Sequence, residues 1–276
     1  MPEIVFLKLG GSLITDKATE SSFRHDECRR LGAEIKDALG SSDVQLVLGH
    51  GGGSIAHGAA HRYRTAQGLA GGGGWEGFAK TRRAVIDLNS RVLTAFAESG
   101  VHPVSVAPSA VAIASAGRLK QMEVRVIEAL LNKGQVPLVF GDAIVDEQWG
   151  FTICSTEVIF EYLAERLRPS RVLLACDVDG VFAAPPFTGG HPLGNPDARR
   201  IPVITPANLD QARAQVGQDG RTDVTGGMAG KLNKLMEIAG IPSVREIRIF
   251  SGLVPGAVHR ALLGKHSGGT VVRLAD

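Results

Sequence analysis

The sequence lacks the features that mark several large classes of protein. Cysteine occurs only three times in 276 residues, as Cys28, Cys154 and Cys176, and no two form a CxxC pair. Neither a disulfide framework nor a zinc site is therefore expected. No apolar run approaches the roughly 20 residues of a membrane-spanning helix. The apolar run at residues 4–7 is too brief for a secretory signal. We expect a soluble, cytoplasmic protein without a membrane partner.

An excess of one charge is also missing. The 30 basic and 28 acidic residues give a formal net charge of +2, whereas dedicated nucleic-acid-binding domains carry a strong basic surplus. No nucleic-acid partner is therefore expected. The chain has no P-loop ending in GK[ST], and no strand–GxGxxG–helix unit with a downstream acidic residue for a ribose. The two best-known nucleotide sites are thus disfavoured.

Glycine, in contrast, is abundant, with 35 residues against a typical share of about 7%. Its clusters lie at residues 10–11, 49–53, 71–74 and 226–227. Three of these four clusters stand where an apolar, strand-like run gives way to a helix-like segment or a turn. Main-chain N–H groups at such positions bind phosphate.

Apolar runs that alternate with amphipathic segments predict an α/β fold. We expect a three-layer sandwich, in which helices cover both faces of a mostly parallel central sheet. The main strands are predicted near residues 3–9, 44–48, 136–140, 171–175 and 245–250, and the main helices near 26–39, 54–64, 75–99, 155–167 and 228–239. Asp26 is predicted to cap the first of these helices, residues 143–153 to form a hairpin, residues 70–74 to be a flexible insert, and residues 183–200 an exposed excursion.

Two glycine-rich segments in the N-terminal half indicate anion binding. KLGGSLITDK, from Lys8 to Lys17, offers a lysine at a strand end with freed main-chain amides behind it, although a plain strand and turn explains it equally well. LGHGGGSIAH, from Leu48 to His57, has three glycines between a strand and a helix. His57 follows one turn later, where it can donate to a phosphate oxygen. A lone histidine is more often structural.

Two further segments lie in the C-terminal half. LLACDVDGVF places Asp177 and Asp179 after an apolar strand, where carboxylates orient lysines or magnesium-bound water; a structural Asp-Gly turn is the alternative. DVTGGMAGK sets a glycine pair before Lys231 at the start of a helix, where an anion offsets the unfavourable placement of a cation. The four segments together compose a phosphoryl-transfer site, which needs positioning and charge neutralisation.

KLGGS, GHGGGS, VFGD (residues 139–142), DVDGV and DVTGGM, in this order and spacing, resemble the amino-acid kinase superfamily along essentially the whole chain. Within it, the chain is most similar to the isopentenyl phosphate kinase family. The resemblance implies a single amino-acid kinase domain over residues 1–276, with an acceptor-binding lobe over about 1–168 and a nucleotide-binding lobe over about 169–276. It implies ATP and Mg²⁺ as cofactors, a small-molecule phosphate acceptor and a homodimer, with the metal held by the nucleotide rather than by protein alone.

The resemblance also assigns roles to residues. The implied catalytic residues are Lys8, His57, Asp177 and Lys231, with Asp177 holding both lysines. Those implied for the nucleotide are Lys8, Gly10, Gly11, Ser12, Lys17, Asp177, Asp179, Gly180, Gly226, Gly227, Met228 and Lys231. Those implied for the acceptor are Gly51, Gly52, Gly53, His57, Gly141, Asp142, Ser155, Thr156 and Glu157, with Phe78, Val85 and Ile153 as apolar walls.

The chain departs from the family pattern at two places. It has Ile55 and Ala56 where the family has an aromatic residue and a glycine, and Glu157 where the family has an aspartate. Three alternatives to isopentenyl phosphate kinase activity stay open. They are a fosfomycin-type phosphonate kinase, another small-acceptor kinase of the superfamily, and a nucleotide-sensing protein that has lost catalysis.

Overall fold

The computed structural model describes residues 2–16, 22–183, 198–216 and 227–274. Within them, the strands are β1 Ile4–Leu9, β2 Gln45–His50, β3 Val104–Ser105, β4 Ala112–Ser115, β5 Arg118–Met122, β6 Pro137–Phe140, β7 Asp142–Asp146, β8 Gly150–Cys154, β9 Arg171–Cys176, β10 Val181–Phe182, β11 Arg200–Ile201, β12 Val203–Ile204, β13 Glu246–Ser251 and β14 Thr270–Val272. The helices are α1 Gly11–Ile14, α2 His25–Gly40, α3 Gly53–Arg62, α4 Gly74–Glu98, α5 Pro108–Val111, α6 Arg125–Asn132, α7 Thr156–Leu167, α8 Leu209–Val216, α9 Gly227–Ala239 and α10 Ala257–Leu262, and a 3₁₀ helix covers Thr65–Gly71.

One large sheet organises the molecule. In the described part of the chain its strand order is β12-β14-β13-β9-β1-β2-β6-β3. Neighbouring strands run parallel throughout, except that β14 is antiparallel to β13. Because β1 pairs with both β2 and β9, the sheet is continuous between the N-terminal and C-terminal halves. The predicted α/β class with a mostly parallel sheet is confirmed.

Alternating side chains of the central strands divide the core into two layers. On one face, Phe6 packs with buried residues of α6, α7 and α9; on the other, Val5 and Leu7 pack with those of α2, α4 and α10. Successive residues of a strand point to opposite faces of a sheet. A strand with apolar residues at successive positions is therefore covered on both faces. Strand β1 has such a run at residues 4–7. The predicted three-layer sandwich is confirmed.

A second sheet lies beside the large one. Among the described residues it has the order β5-β4-β7-β8, with β7 and β8 forming an antiparallel hairpin. The predicted hairpin over residues 143–153 therefore exists, but β4 and β5 were not predicted. At the predicted excursion, β10 pairs with β11 in the register Phe182↔Arg200, and residues 184–197 lie outside the described part. No helix in the described ranges combines the length and apolar character needed to cross a bilayer.

Two local predictions were wrong. Asp26 does not cap α2, because the helix begins at His25 and Asp26 lies within its first turn, where an acidic side chain suits the helix dipole. The glycines at residues 70–74 do not form a flexible insert, because a 3₁₀ helix covers Thr65–Gly71 and α4 begins at Gly74. A Cβ at Gly73 would lie 2.2 Å from the carbonyl oxygen of Tyr63. Close packing against α3, rather than flexibility, thus explains this cluster.

The short helix α10 is held at both ends by charged side chains. Glu34 of α2 accepts hydrogen bonds from the main-chain N–H groups of Gly256 (2.8 Å), Val258 (3.0 Å) and His259 (3.2 Å). At the other end, Arg171 of β9 donates to the carbonyl oxygens of Ala261 and Leu262 at 2.6 and 2.7 Å. These are the amide and carbonyl groups that a helix leaves unpaired. The helix therefore depends on charges supplied by α2 and β9.

We predict that Glu34→Ala lowers the free energy of unfolding by about 2 kcal/mol, because three N–H groups lose a charged acceptor. Urea unfolding followed by circular dichroism measures the change. Glu128→Ala, at an exposed position of α6, is the matched control and should change stability by under about 0.5 kcal/mol. Equal losses in the two variants would contradict the role assigned to Glu34.

Candidate active site

The carboxyl ends of five parallel strands lie along one edge of the large sheet. Strands β13, β9, β1, β2 and β6 are adjacent and run in one direction. They lead into Gly252, Asp177, Gly10, Gly51 and Gly141 respectively. Ligands of open α/β sheets bind beyond such strand ends. The predicted segments that begin at Lys8, Leu48 and Leu173 therefore meet at one edge of the sheet.

The two N-terminal glycine loops touch through their main chains. A Cβ at Gly11 would lie 2.3 Å from the nitrogen of Gly53, and a Cβ at Gly51 would lie 2.8 Å from the nitrogen of Gly11. Gly53 also has a φ of +56°, which favours glycine. The hydroxyl of Thr15 bridges the loops, since it donates to the Gly11 carbonyl (2.9 Å) and accepts from the N–H of Ser54 (3.0 Å). Any larger side chain at these glycines would push the loops apart.

A buried ion pair lies beside these loops. The ammonium of Lys8, at the end of β1, is 2.6 Å from the Glu157 carboxylate in the first turn of α7, and both residues are buried. Burial alone would raise the pKa of Glu157, but the positive charges of Lys8 and Lys231 outweigh it and hold that pKa below its ordinary value. Glu157 thus stabilises two cations at the edge of the sheet.

A cavity opens next to the ion pair, with about 560 Å³ of empty space that includes its mouth. The predicted site residues that line it are Lys8, Gly11, Gly51, Gly52, His57, Val85, Gly141, Asp142, Ile153, Ser155, Thr156, Glu157 and Lys231. Its lining combines two kinds of group: polar groups, which include two lysines, two carboxylates, a histidine and glycine main chains, and small or aliphatic side chains. Such a cavity suits a small ligand with an anionic head and an apolar body.

Other predicted residues lie near the cavity without lining it. Asp177 accepts a hydrogen bond from the Ser12 hydroxyl at 2.8 Å, and so connects the ends of β9 and β1. Asp179 forms an ion pair with Arg200 and accepts from the N–H of Ser251 at 3.3 Å. Gly10, Gly53 and Gly180 belong to the same strand ends and loops, with Gly10 donating its N–H to the carbonyl of Ala175 at 2.8 Å. Asp177, Asp179 and Gly180 follow β9 and Gly10 follows the adjacent β1, whereas Gly53 belongs to the loop after β2.

The remaining predicted residues have different locations. Phe78 is not part of the cavity lining; its ring packs against Trp75 and Phe151 with centroids 5.4 and 5.3 Å away. Phe151 and the cavity-lining Ile153 both belong to β8, so Phe78 contacts a strand that contributes one wall of the cavity. Gly227 and Met228 begin α9. Lys17 and Gly226 lie outside the described residues.

Three residues that line the cavity were not predicted. Ala56 and Ala60 follow Gly52 at intervals of four along α3, and Thr81 precedes Val85 by four along α4. Residues four apart share one face of a helix, so this spacing was available as a signal. Of the two departures from the family pattern in GGGSIAH, it is Ala56 that faces the cavity, whereas Ile55 packs against the core.

Two of the lining residues, Asp142 and Thr156, hold neighbouring main-chain segments in place through hydrogen bonds. Both oxygens of Asp142 accept main-chain N–H groups, from Ser109 at 3.1 Å and from Ala143 at 2.8 Å. Burial raises the pKa of Asp142 against these hydrogen bonds. The hydroxyl of Thr156 donates to the carbonyl of His50 at 2.7 Å and so ties the start of α7 to the end of β2.

The N-termini of two helices face the cavity. Gly51 and Gly52 directly precede α3, and Ser155 caps α7 by accepting the N–H of Val158 at 3.3 Å; all three line the cavity. Helix N-termini carry partial positive charge and unpaired N–H groups. With Lys8 and Lys231, they make the cavity attractive to phosphate.

We predict that Glu157→Gln lowers the free energy of unfolding by about 3 kcal/mol at pH 7, because it leaves a buried ammonium without its counter-charge. A carboxylate whose pKa is depressed in the folded state stabilises above its unfolded pKa, and that contribution is lost as the pH falls. The difference from the parent chain should therefore shrink below the ordinary value of 4.5.

Chemical unfolding at pH 7 and at pH 4 measures this dependence. Glu165→Gln, at an exposed position of the same helix, should change stability little at either pH. A loss for Glu157→Gln that is the same at both pH values would show that its charge is not responsible.

Comparison with known proteins agrees with this geometry. A sequence model of the amino acid kinase family matches residues 3–251. The isopentenyl phosphate kinase of Methanothermobacter thermautotrophicus is 37% identical to this chain, over 97% of this chain and 98% of the relative.

Solved structures extend the comparison to the fold. A structure described as an X-ray structure of isopentenyl phosphate kinase has a TM-score of 0.79 at 33% identity, covering 98% of this chain and 99% of the other. The product complex of the Thermoplasma acidophilum isopentenyl phosphate kinase has a TM-score of 0.73 at 25% identity, covering 98% of this chain and all of the other. On its sequence and fold, the chain belongs to the amino acid kinase family, among the isopentenyl phosphate kinases.

Proposed function

We propose that the chain transfers the γ-phosphoryl group of ATP to isopentenyl phosphate, giving ADP and isopentenyl diphosphate. The observation that carries this proposal is the mixed lining of the cavity, with Lys8, His57 and Lys231 among its polar residues and Val85 and Ile153 among its apolar ones. A short hydrocarbon with a phosphate head offers a matching group for each kind of residue. The relatives named isopentenyl phosphate kinase support this choice of acceptor.

The acceptor phosphate is proposed to bind where the triple-glycine loop meets Lys8 and His57. The Lys8 ammonium has three N–H donors, one of which donates to Glu157. The other two can donate to phosphate oxygens. His57 lies on α3 one turn after the loop and lines the cavity. An imidazole N–H at this position neutralises charge on the acceptor. The hydrocarbon then extends towards Val85 and Ile153.

The phosphates of ATP are proposed to bind beside Ser12 and Asp177, with Lys231 between donor and acceptor. An oxygen of the acceptor phosphate attacks the γ-phosphorus in line, and the bond from that phosphorus to the β–γ bridging oxygen breaks. The acceptor is ionised at neutral pH, so no general base is required. Lys8, Lys231 and the loop amides neutralise the charge of the moving group, and each contact supplies about 3 kcal/mol.

Magnesium is proposed to arrive with the nucleotide. Among the described residues, no group of three or more His, Cys, Asp or Glu side chains converges to hold a metal ion, and Mg²⁺ commonly binds through substrate phosphates and water. When bound, it neutralises charge on the β- and γ-phosphates. Asp177 and Asp179, at the end of β9, are the carboxylates proposed to meet its water ligands.

A homodimer and a cytoplasmic location complete the proposal. Symmetric pairs are the commonest oligomers, and the three cysteines are all free thiols, as is usual in reducing compartments. Size-exclusion chromatography with light scattering tests the dimer.

The direct test is incubation of the purified protein with Mg-ATP and isopentenyl phosphate, with ³¹P NMR following the formation of diphosphate and ADP. Fosfomycin, acetylglutamate, glutamate, UMP and carbamate serve as competing acceptors. Turnover of fosfomycin alone would favour a phosphonate kinase. ATP binding without any transfer would favour a nucleotide sensor, and either result would overturn the proposal.

We predict that His57→Ala lowers kcat/KM for isopentenyl phosphate about 100-fold, the loss expected for one transition-state donor, with little change in the KM for ATP. Steady-state kinetics with each substrate varied in turn measure the two constants. His61→Ala, at an exposed position one turn further along α3, should behave like the parent chain. If His57→Ala does so too, the imidazole is structural.

A further inference from the structure

A second histidine lies beneath the triple-glycine loop and takes no part in the transfer step. His50 ends β2 and is only 1% exposed, so its side chain enters the core. Its ring stacks on Phe140, with centroids 5.3 Å apart and an angle of 14° between the planes. A buried ionisable group of this kind is retained only where its hydrogen bonds are satisfied.

The hydrogen bonds of the ring assign its tautomer. Nδ1 lies 3.1 Å from the carbonyl oxygen of Gly51, which can only accept, so Nδ1 carries a proton. Burial lowers the pKa of His50, as does the charge of Lys8, although the two ring contacts act in the opposite direction. The ring is therefore neutral near pH 7, and Nε2 is an acceptor. In the structure, Nε2 lies 3.2 Å from Oδ1 of Asn89, and Nδ2 of Asn89 donates to the Ser105 hydroxyl at 2.9 Å.

A neutral ring of this tautomer fixes the orientation of the Asn89 amide. An unprotonated Nε2 cannot bond to the Oδ1 that faces it in the structure. A neutral ring therefore requires the opposite orientation of this amide, with its NH₂ end donating to Nε2 and its oxygen accepting from the Ser105 hydroxyl. Every polar atom of the chain His50–Asn89–Ser105 then has a partner. The ring is thus held from two sides, by α4 and by the loop.

The Nδ1 contact determines which way the next peptide faces. In a trans peptide, the carbonyl and the following N–H point in opposite directions. Because the Gly51 carbonyl points to His50 in the core, the N–H of Gly52 points to the other side, and both glycines line the cavity. Glycine adopts a wide range of φ values at little energetic cost. Without a hydrogen bond to hold it, this peptide could rotate and turn its carbonyl oxygen towards the cavity, where the oxygen would repel a phosphate.

We propose that His50 is a positioning residue, whose Nδ1–H holds the Gly51 carbonyl in the core and thereby aims the Gly52 N–H at the acceptor phosphate. The inference rests on the proposed function for the identity of that phosphate. His50 itself touches no substrate. It acts through the orientation of one peptide bond.

Two substitutions separate this role from packing. In His50→Asn, the side-chain NH₂ stands near the position of Nδ1 and can still donate to Gly51. In His50→Gln, the amide reaches the position of Nε2 and the donor to Gly51 is lost. Both remove the ring from Phe140, so their losses of stability should be similar. We expect the KM for isopentenyl phosphate to be about tenfold higher in His50→Gln than in His50→Asn, the effect of one hydrogen bond to a charged group, with similar KM values for ATP.

Equal acceptor KM values in the two variants, with only the thermal midpoint changed from the parent chain, would overturn the proposal. Calorimetric titration with isopentenyl phosphate and with inorganic phosphate, in the absence of ATP, separates it from the proposed function. If the parent chain transfers nothing but binds phosphate, and His50→Gln alone loses that binding, the proposed function fails and the positioning role stands.

A measurement on the parent chain covers the case in which neither variant folds. ¹⁵N NMR of the protein with labelled histidine reports which ring nitrogen carries the proton. We expect a buried neutral ring protonated at Nδ1 at pH 7 to 8. A ring protonated at Nε2 alone could not donate to Gly51 and would overturn the proposal.

Discussion

The main-chain contact between the two glycine loops is the constraint on which the site depends. Neighbouring strands β1 and β2 end side by side, and the loops that follow approach so closely that Gly11 and Gly53 leave no room for a Cβ. The amides of both loops are therefore held at a fixed spacing at the edge of the sheet. Rigid main-chain donors cost no reorganisation when charge develops, and a phosphoryl group passing between two phosphates needs such spacing.

The buried ion pair of Lys8 and Glu157 allows a cation to lie beside these loops without a large desolvation penalty. Cations kept out of water are costly unless a counter-charge is close. Glu157 supplies it from the first turn of α7, and that turn is fixed by the Ser155 cap and by the hydrogen bond from Thr156 to His50. The glutamate that departs from the family pattern therefore connects α7 to the end of β1, as Thr156 connects it to the end of β2. The glutamate side chain, which is longer than that of the family's aspartate, reaches the Lys8 ammonium and forms the ion pair with it.

Local patterns in the sequence predicted much of the fold. Apolar runs identified β1 and β9. Ser155 was correctly placed at the start of α7, because a hydroxyl cap acts within one turn. The failures involve distant partners. The glycines before α4 were misread because the Tyr63 carbonyl that excludes a side chain there is visible only in three dimensions. The short strands β4 (AIAS) and β5 (RLKQM) have no run of large apolar residues, unlike the equally short β6 (PLVF).

The same distinction applies to the site. The glycine loops, Lys8 and His57 were recognisable because each motif is contiguous, and most of the predicted acceptor residues line one cavity. The pairing of Lys8 with Glu157 joins residues 149 positions apart, and no local rule supplies it. Two lysines face the opening, but the carboxylates of Glu157 and Asp142 line it as well. The N–H groups of the loops and of the two helix N-termini are therefore left as the main attraction for a phosphate, and their effect fades within about one helical turn. The rate of association should thus depend only weakly on ionic strength.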